Sequence, residues 1–361
     1  MSEKRIGTRT IQLKNPPYVY STSSVVGKME SEGPLGPYFD HVEKDPMFGK
    51  EKWEEAESQI QLLSGKLALK KADLVANQID YLFAGDLLGQ LIATSFGVEE
   101  LNLPLFGVYG ACSTMGESLS LAAMTIDGGY ADKTMALTSS HNASAERQFR
   151  FPPAYGNQKP KAATWTVTGG GACVLSKDPP KEELVRKLAG HLGDEKKMKN
   201  VRVTMITTGK IMDYGIKDTM NMGGVMAPAA CDVIQSHLDD AKAAGRSPEE
   251  YDRIITGDLG KVGKEILLEL LLQHGYDIEK IYDDCGMMIF DDQKQDTHSG
   301  GSGCGCSAAT LNGYILKRMF AGEWNRVLFV PTGALLSPIS FHEGNSVPAI
   351  AHGVVFEAEK R

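Results

Sequence analysis

Cys112 is the residue of this sequence whose surroundings best fit a chemical role. An apolar, strand-like run ends in Gly110-Ala111-Cys112, and a helix-like run follows directly at residues 117–126. A cysteine at such a corner faces the positive end of a helix dipole, which lowers the thiol pKa and favours a thiolate or a bound anion. A cysteine nucleophile also needs a base, normally histidine. The corner therefore predicts that Cys112 lies at the floor of a pocket. Its thiol would face a bound anion or, with a base nearby, attack a substrate.

A second corner of small residues lies near the C-terminal end, at Gly303-Cys304-Gly305-Cys306-Ser307. Two cysteines one residue apart are compatible with metal binding, but a zinc site needs a second, closely spaced pair of Cys or His. The sequence lacks that pair, so it favours a tight glycine turn that opens a helix, with no metal. Cys306 and Ser307 then become candidates for the lining of a pocket.

Three more polar side chains directly follow predicted strands. His141 and Asn142 come after the strand at residues 134–139, and Asp258 comes after the strand at residues 253–256. His141 could donate a hydrogen bond to a carboxylate, or it could be an ordinary loop histidine. Asp258 could orient a ligand nitrogen or hold calcium with waters, or it could cap the next helix. The residues alone leave both pairs of alternatives open.

Four basic residues fall in one segment: Arg147, Arg150, Lys159 and Lys161. A dianionic ligand needs such partners, because arginine can bind a carboxylate through two parallel hydrogen bonds. The alternative is a solvated or interface charge cluster. We take Arg147 as the candidate of this group, and Ser337, in the loop at residues 332–338, as a further candidate for the pocket lining.

Two other patterns indicate no ligand. The Thr168-Gly169-Gly170-Gly171 run is followed by a strand-like segment and lacks the Lys-Ser/Thr ending of a phosphate-binding loop, so its glycines predict close backbone packing. Asp283, Asp284, Asp291 and Asp292 lack the spacing of an EF-hand and predict a solvated acidic loop.

Composition excludes several classes of protein. The 361 residues include 42% hydrophobic and 23% charged residues and carry a formal charge of −8, which argues against nucleic-acid binding. Six cysteines in a chain of this length predict reduced thiols. The charged first ten residues predict no signal peptide, and no apolar run reaches the roughly 20 residues of a membrane-spanning helix. Any membrane association is therefore expected to be peripheral.

Alternating strand-like and helix-like segments predict a mostly parallel α/β fold. Residues 15–50 are rich in Pro and Gly and predict a long loop, and residues 52–76 predict a helix with acidic residues early and lysines late. Similar series of helices and strands then occur twice along the chain. We therefore predict two similar halves, residues 1–215 and 216–361, joined after a charged insertion at residues 181–200.

The two halves also share local corners. A strand ends in glycine at Ala84-Gly85-Asp86 and at Thr256-Gly257-Asp258, and a small-residue turn opens a helix at Gly110-Ala111-Cys112 and at Gly305-Cys306-Ser307. Ligands of α/β proteins bind at the carboxyl ends of strands. These four corners are therefore expected to line one site between the halves.

These motifs resemble the thiolase-like fold, and most of all the type III ketoacyl carrier-protein synthases. The resemblance rests on Gly110-Ala111-Cys112-Ser113, on Gly169-Gly170-Gly171-Ala172-Cys173, and on Gly305-Cys306-Ser307-Ala308-Ala309. It implies a five-layer α-β-α-β-α sandwich of two related halves. More narrowly, Ile255-Thr256-Gly257-Asp258-Leu259-Gly260 and the stretch from Ser139 to Arg150 resemble the stage V sporulation AD family of spore-forming bacteria.

The sequence departs from the condensing enzymes at two of three catalytic positions. Cys112 matches their nucleophile, but Gly257 stands where the resemblance places their histidine and Gly305 where it places their asparagine. Without a base and a complete oxyanion hole, condensation is expected to be severely impaired. The resemblance therefore implies a binding protein that is not an enzyme. The alternative is a thiolase-like acyltransferase that still uses Cys112.

The sporulation family implies the ligand and the setting. The expected ligand is dipicolinate (pyridine-2,6-dicarboxylate) or its calcium chelate, with no resident cofactor, during uptake into the forespore. Expected partners are membrane-embedded subunits of the same transport complex, with the chain peripheral on the inner membrane and homodimeric. The expected ligand-binding residues are Cys112, His141, Asn142, Arg147, Asp258, Cys306, Ser307 and Ser337.

Overall fold

The computed structural model describes residues 3–150, 158–194 and 196–360. Its strands are β1 (Arg5–Ile6), β2 (Thr10–Gln12), β3 (Tyr18–Gly27), β4 (His41–Glu43), β5 (Tyr81–Gly85), β6 (Leu105–Gly107), β7 (Lys133–Ser140), β8 (Trp165–Thr166), β9 (Gly169–Ser176), β10 (Lys199–Thr208), β11 (Arg253–Thr256), β12 (Tyr282–Asp284), β13 (Gly301–Ser302), β14 (Arg326–Val330), β15 (Thr332–Ala334) and β16 (Ala349–Lys360).

The α-helices are α1 (Lys28–Ser31), α2 (Trp53–Lys71), α3 (Ile92–Val98), α4 (Thr114–Asp127), α5 (Asn142–Phe149), α6 (Glu182–Ala189), α7 (Met222–Ala243), α8 (Gly260–Gln273), α9 (Cys285–Ile289), α10 (Cys304–Thr310), α11 (Leu316–Phe320) and α12 (Pro338–His342). A π-helical turn, Leu311–Ile315, joins α10 to α11. Within the residues described, no helix is both long enough and apolar enough to span a membrane.

The main sheet has an internal repeat. Its strands run in the order β12-β11-β14-β16-β10-β3-β9-β7-β5-β6. Outward from the centre, β3-β9-β7-β5-β6 and β10-β16-β14-β11-β12 have the same chain order and the same directions. In each set the first two pairings are antiparallel and the last two parallel. The sheet is therefore two copies of one five-stranded pattern, which confirms the predicted fold of two related halves. The prediction of a mostly parallel sheet is wrong, because the strands nearest the centre pair in antiparallel fashion.

Helices cover the two patterns in layers. The α2 and α3 helices pack together on the outer face of the first set, and α7 and α8 do so on the second. The α4 and α10 helices lie between the sets, where α4 contacts β7 and β16 and α10 contacts β9 and β7. This arrangement is the five-layer sandwich that the resemblance implied. It brings the N-terminal ends of α4 and α10 to the same region.

The predicted loop at residues 15–50 is wrong, because this segment contains the central strand β3. Its hydroxyl side chains face α2: Ser21 donates to Ala68 O at 2.7 Å and Ser23 donates to Ser64 O at 2.6 Å. Hydroxyl groups that bond to helix carbonyls can be buried without penalty from unmet hydrogen bonds. The strand is therefore buried from Ser21 to Gly27, although its residues 21–24 are all polar.

A buried ion cluster fixes the rest of the same segment. The Asp40 carboxylate binds Lys71 Nζ at 2.8 Å and Lys317 Nζ at 3.0 Å. Burial acts to raise the pKa of Asp40, but the two lysines outweigh it and hold the pKa below its usual value. This cluster connects the segment before β4 to the end of α2 and to α11, so the segment is part of the core of the fold.

Smaller differences concern where elements begin and divide. Residues 165–176 contain two strands, β8 and β9, and β8 pairs with β13 outside the main sheet. The charged insertion contains the helix α6, and α7 begins at Met222. The first five-stranded pattern ends with β9, at Ser176, and the second begins with β10, at Lys199. The division into domains at residue 215 stays a prediction.

The glycine run at residues 169–171 packs as the sequence predicts. A Cβ atom at Gly171 would lie 2.6 Å from Ala308 O, and one at Gly169 would lie 2.9 Å from Val25 O. Real Cβ atoms do not approach backbone oxygen so closely. The run therefore lets β9 lie directly against α10, which positions the second small-residue corner.

Candidate functional site

The corner at Cys112 is a tight turn at the start of α4. Residues Ala111–Ser113 form a single 3₁₀ turn, and Ala111 has a left-handed φ of 50°. The second half closes over this turn through β15, since a Cβ at Gly333 would lie 1.9 Å from Gly110 O and 3.1 Å from Cys112 N. The turn is therefore held between the two halves, with Cys112 partly exposed.

Cys112 forms part of the wall of a pocket of about 520 Å³ that is open to solvent. Its apolar lining includes Leu87, Ala145, Phe149, Met222, Met226 and Leu336, and its polar lining includes Tyr109, Cys112, Arg150, Thr166 and Ser302. These side chains come from both halves of the fold. A concave, mostly apolar site with a few convergent polar groups is typical of small-molecule binding.

Asp258 lies beside Cys112 and is completely buried. Its Oδ2 accepts a hydrogen bond from Gly303 N at 2.9 Å. Burial raises the pKa of the Cys112 thiol well above its ordinary value, and the Asp258 carboxylate raises it further. Burial likewise raises the pKa of Asp258 to about 8, against hydrogen bonds from Cys112 and Gly303. The expectation that the helix dipole lowers the thiol pKa is therefore wrong.

This pairing predicts how fast Cys112 is alkylated as the pH changes. In the wild-type protein the reaction with iodoacetamide is expected to remain slow until well above pH 9, because only the thiolate reacts. In Asp258→Asn the rate profile should shift to lower pH, since the neutral amide no longer repels the thiolate. Each unit of lowered pKa multiplies the thiolate fraction by about ten. Peptide mass spectrometry of Cys112, with buried Cys173 as the internal control, measures the shift, and identical profiles would refute the pairing.

The helix cap that was one of the two alternatives for Asp258 is supplied by Asp284. Asp284 Oδ2 accepts from Leu259 N at 2.9 Å, and its Oδ1 accepts from Gly260 N at 3.1 Å. Asp284 is fully buried, and burial raises its pKa to about 6. The prediction of a solvated acidic loop is therefore wrong for Asp284. With the cap supplied from β12, the Asp258 carboxyl is free to turn toward Cys112.

Gly257 and Gly305, which the resemblance predicts to replace catalytic residues, have almost no room for a side chain. A Cβ at Gly305 would lie 2.3 Å from Gly169 O, and one at Gly257 would lie 2.9 Å from Pro331 Cα. Gly305 N donates to Ser140 Oγ at 3.1 Å, which presses α10 against the end of β7. As the backbone stands, neither position can carry a histidine or an asparagine.

Cys306 and Ser307 are buried behind the pocket and do not line it. Cys306 Sγ donates to Gly257 O at 3.5 Å, and Ser307 Oγ donates to Cys304 O at 3.1 Å. Both side chains are fully buried. Their contacts hold the start of α10 in place, and their polar atoms are directed to backbone oxygens.

His141 and Asn142 lie at a second cavity, of about 1030 Å³, with Trp53 and Trp165. The His141 ring bonds to Pro46 O through Nε2 at 2.8 Å and accepts from Ala143 N through Nδ1 at 3.1 Å, so it caps α5. The helix α5 and the strand β8 separate this cavity from the pocket at Cys112. The structure therefore does not bring these two residues together with Cys112.

The other two predicted residues also lie outside the pocket lining. Arg147 forms an ion pair with Glu54 at the surface. Ser337 caps α12, where its Oγ accepts from Ser340 N at 3.3 Å. Of the predicted set, Cys112 lines the pocket and Asp258 lies directly behind it. Whether the others contact a ligand stays a prediction.

Sequence reasoning missed several residues that do line the pocket. Met222 and Met226 are one helical turn apart on α7, so their i, i+4 spacing was the available signal. The sequence shows Arg150 in the basic segment, but it does not show that this side chain lines the pocket. Part of that segment, residues 151–157, lies outside the described residues.

Solved structures share this architecture. AbyA1, a tetronic acid condensing enzyme, aligns with a TM-score of 0.57 over 94% of this chain and 99% of its own, at 14% identity. A 3-oxoacyl-[acyl-carrier-protein] synthase III from Aquifex aeolicus VF5 aligns with a TM-score of 0.51 over 94% of this chain and 99% of its own, at 13% identity. At such identities the likeness shows the fold alone, and that fold is thiolase-like.

Comparison of sequences then gives the particular family. The model of the family described as Stage V sporulation protein AD (SpoVAD) matches residues 7–357. Stage V sporulation protein AD of Bacillus subtilis (strain 168) is 42% identical over 354 residues, which are 98% of each chain. The chain therefore belongs to the stage V sporulation protein AD family.

Proposed function

We propose that this chain is a non-enzymatic binding protein for dipicolinate or its calcium chelate, serving dipicolinate uptake into the forespore. The observation that carries the proposal is the floor of the pocket. A thiol with a raised pKa stands there beside a buried carboxyl, and the two positions that would supply a histidine and an asparagine are glycines without space for a side chain. Such a floor favours binding over covalent chemistry.

The walls of the pocket suit a flat aromatic ligand. Phe149 and Leu87 supply apolar surface from the first half, and Met222 and Met226 supply it from the second. Methionine side chains adapt to the shape of a ligand and make favourable contacts with aromatic rings. An aromatic ring between these walls leaves its polar substituents to the few polar groups of the lining.

The proposal extends to the assembly. The strand β6 is the edge of the main sheet, and it exposes Leu105 and Phe106. An exposed apolar edge strand is a surface that pairs with another chain. We expect it to pair with a second copy in a homodimer. The dimer would lie on the inner membrane and transfer its ligand to membrane-embedded subunits of the transport complex.

Calorimetric titration with dipicolinate, with and without calcium, tests the ligand and its location. Wild type is expected to bind one ligand per chain. Ala145→Phe should abolish binding, because it fills the pocket at Cys112. The matched control is Ala143→Phe. Ala143 lies two residues earlier in α5 and lines the second cavity, so this change should leave affinity unchanged. The opposite pattern would place the ligand in the second cavity, and absence of binding by wild type would refute the proposed function.

The competing enzymatic function has its own measurement. Incubation with acyl-CoA followed by intact mass should give no stable adduct on the wild-type chain. An adduct that disappears in Cys112→Ala would instead support acyl transfer through Cys112.

A further inference from the structure

A buried cluster of three charged side chains forms part of the wall of the pocket. Glu146 Oε1 accepts from Arg150 Nη1 at 2.6 Å and from Lys159 Nζ at 2.7 Å. The exposed fractions of the three side chains are 10% for Glu146, 8% for Arg150 and 7% for Lys159. Glu146 lies on α5, and Arg150, four residues later, directly follows the end of that helix. Lys159 lies nine residues further along the chain.

The charges of this cluster do not balance. Two cations share one carboxylate oxygen, so the cluster carries one excess positive charge while it is largely removed from water. Burying an unpaired charge is costly, and buried charges are normally neutralised by a partner. Among the described residues, Arg150 Nε has no hydrogen-bond partner. The two cations share the excess positive charge, and the donor without an acceptor is on Arg150.

The position of Arg150 shows where the missing partner would be. Arg150 lines the pocket at Cys112, next to Phe149 and across from Met222 and Met226. Lys159 is directed elsewhere, since its Nζ lies 4.8 Å from the centre of the Trp165 ring, on the side of the second cavity. Of the two cations, only Arg150 can therefore meet a molecule in the pocket.

We propose that Arg150 is the residue that recognises a carboxylate of the ligand, and that the site is built for planar aromatic carboxylates. The inference rests on the proposed function and gives it a specific contact. The carboxylate supplies the negative charge and the acceptor that the cluster lacks, while Glu146 and Lys159 hold the guanidinium in place. The aromatic ring of the ligand then lies against Phe149 and the two methionines.

The test compares Arg150→Gln with Arg186→Gln in calorimetric titrations of the whole chain. Hydrogen bonds to charged groups contribute enough for the first variant to weaken dipicolinate binding roughly 10- to 100-fold. Arg186 is half exposed on α6 and pairs with Glu182, so its replacement should leave affinity unchanged. Arg150→Lys, which keeps the charge and loses the planar donor pair, should give an intermediate affinity. Glu146 keeps Lys159 as its partner in each Arg150 variant, so the fold should stand.

A neutral ligand separates recognition of the carboxylate from damage to the pocket. Pyridine-2,6-dicarboxamide has the same ring and no charge, so its binding should be weak in wild type and unchanged in Arg150→Gln. An equal loss for both ligands would show a deformed pocket and overturn the inference, as would dipicolinate binding that Arg150→Gln leaves intact. In the latter case the proposed function would stand.

A second readout applies if wild type does not bind dipicolinate at all. The proposed function would then fail, and thermal stabilisation by benzoate, isophthalate and picolinate would test Arg150 alone. Stabilisation that is lost in Arg150→Gln but kept in Arg186→Gln would support the carboxylate site. Equal responses of wild type and Arg150→Gln to all three acids would overturn it.

Discussion

Replacing Gly305 by asparagine is expected to lower the free energy of unfolding by about 3 kcal/mol, near the upper end of the usual cost of overpacking. The substitution introduces the residue type that the resemblance predicts at this position in the condensing enzymes. In this fold, however, its Cβ would lie 2.3 Å from Gly169 O and 2.5 Å from Ser140 Oγ. Because backbone oxygen cannot rotate away as a side chain can, α10 must shift from β9.

Chemical denaturation of the two proteins measures this loss. The matched control is Gly89→Asn, the same substitution at a position where the nearest atom to a new Cβ is 3.7 Å away. The control should change stability by a few tenths of a kcal/mol. A Gly305→Asn protein as stable as wild type would contradict the packing argument, and one that acquired condensing activity would contradict the binding proposal.

Much of the fold could be predicted from short motifs at the ends of strands and at the starts of helices. Short apolar runs that end in glycine mark β5 and β11, and small-residue turns mark the starts of α4 and α10. Such signals are local, so a sequence shows them directly. The strand β3 lacks this signal, because its serines are buried through hydrogen bonds to the carbonyls of Ala68 and Ser64, over 40 residues away. A polar strand of that kind resembles a loop until its partners are known.

The site was harder to predict, because it depends on contacts between distant residues. Asp258 has the sequence position of a helix cap. Asp284, on β12, accepts the hydrogen bonds at the start of α8 instead, and Asp258 lies beside Cys112. His141 follows a strand at the correct edge of the sheet, but its ring bonds to Pro46 O, nearly 100 residues earlier, in the wall of another cavity. Residue type and spacing located Cys112, whereas the direction of each charged side chain required the structure.

The last prediction concerns the pH dependence of stability. Burial raises the pKa of Asp258 to about 8, that of Glu30 to about 7 and that of Asp284 to about 6. A carboxyl group whose pKa is higher in the folded state holds its proton more tightly when folded. Its contribution to stability is complete below the unfolded pKa, near 4, and is lost as the pH rises through the folded value. The wild-type protein should therefore be less stable at pH 8 than at pH 6.5.

Asp258→Asn isolates one group of this set. Its amide resembles the protonated carboxyl and does not titrate, so the loss of stability between pH 6.5 and pH 8 should be smaller than in wild type by roughly 2 kcal/mol, at about 1.4 kcal/mol per pH unit. The buried histidines act in the opposite direction but equally in both proteins. The pKa values of His237 and His352 are lowered to about 4 in the fold, so these side chains gain protons near pH 6.5 only on unfolding, and their contribution cancels in the comparison. Denaturant unfolding at the two pH values gives the difference, with the exposed Asp73→Asn as control. Equal pH dependence in wild type and Asp258→Asn would mean that Asp258 is ionised in the folded protein at pH 6.5. The pocket would then have a negative charge at Asp258, beside Cys112, which repels an anion. The carboxylate of the ligand would have to lie away from Cys112, at Arg150.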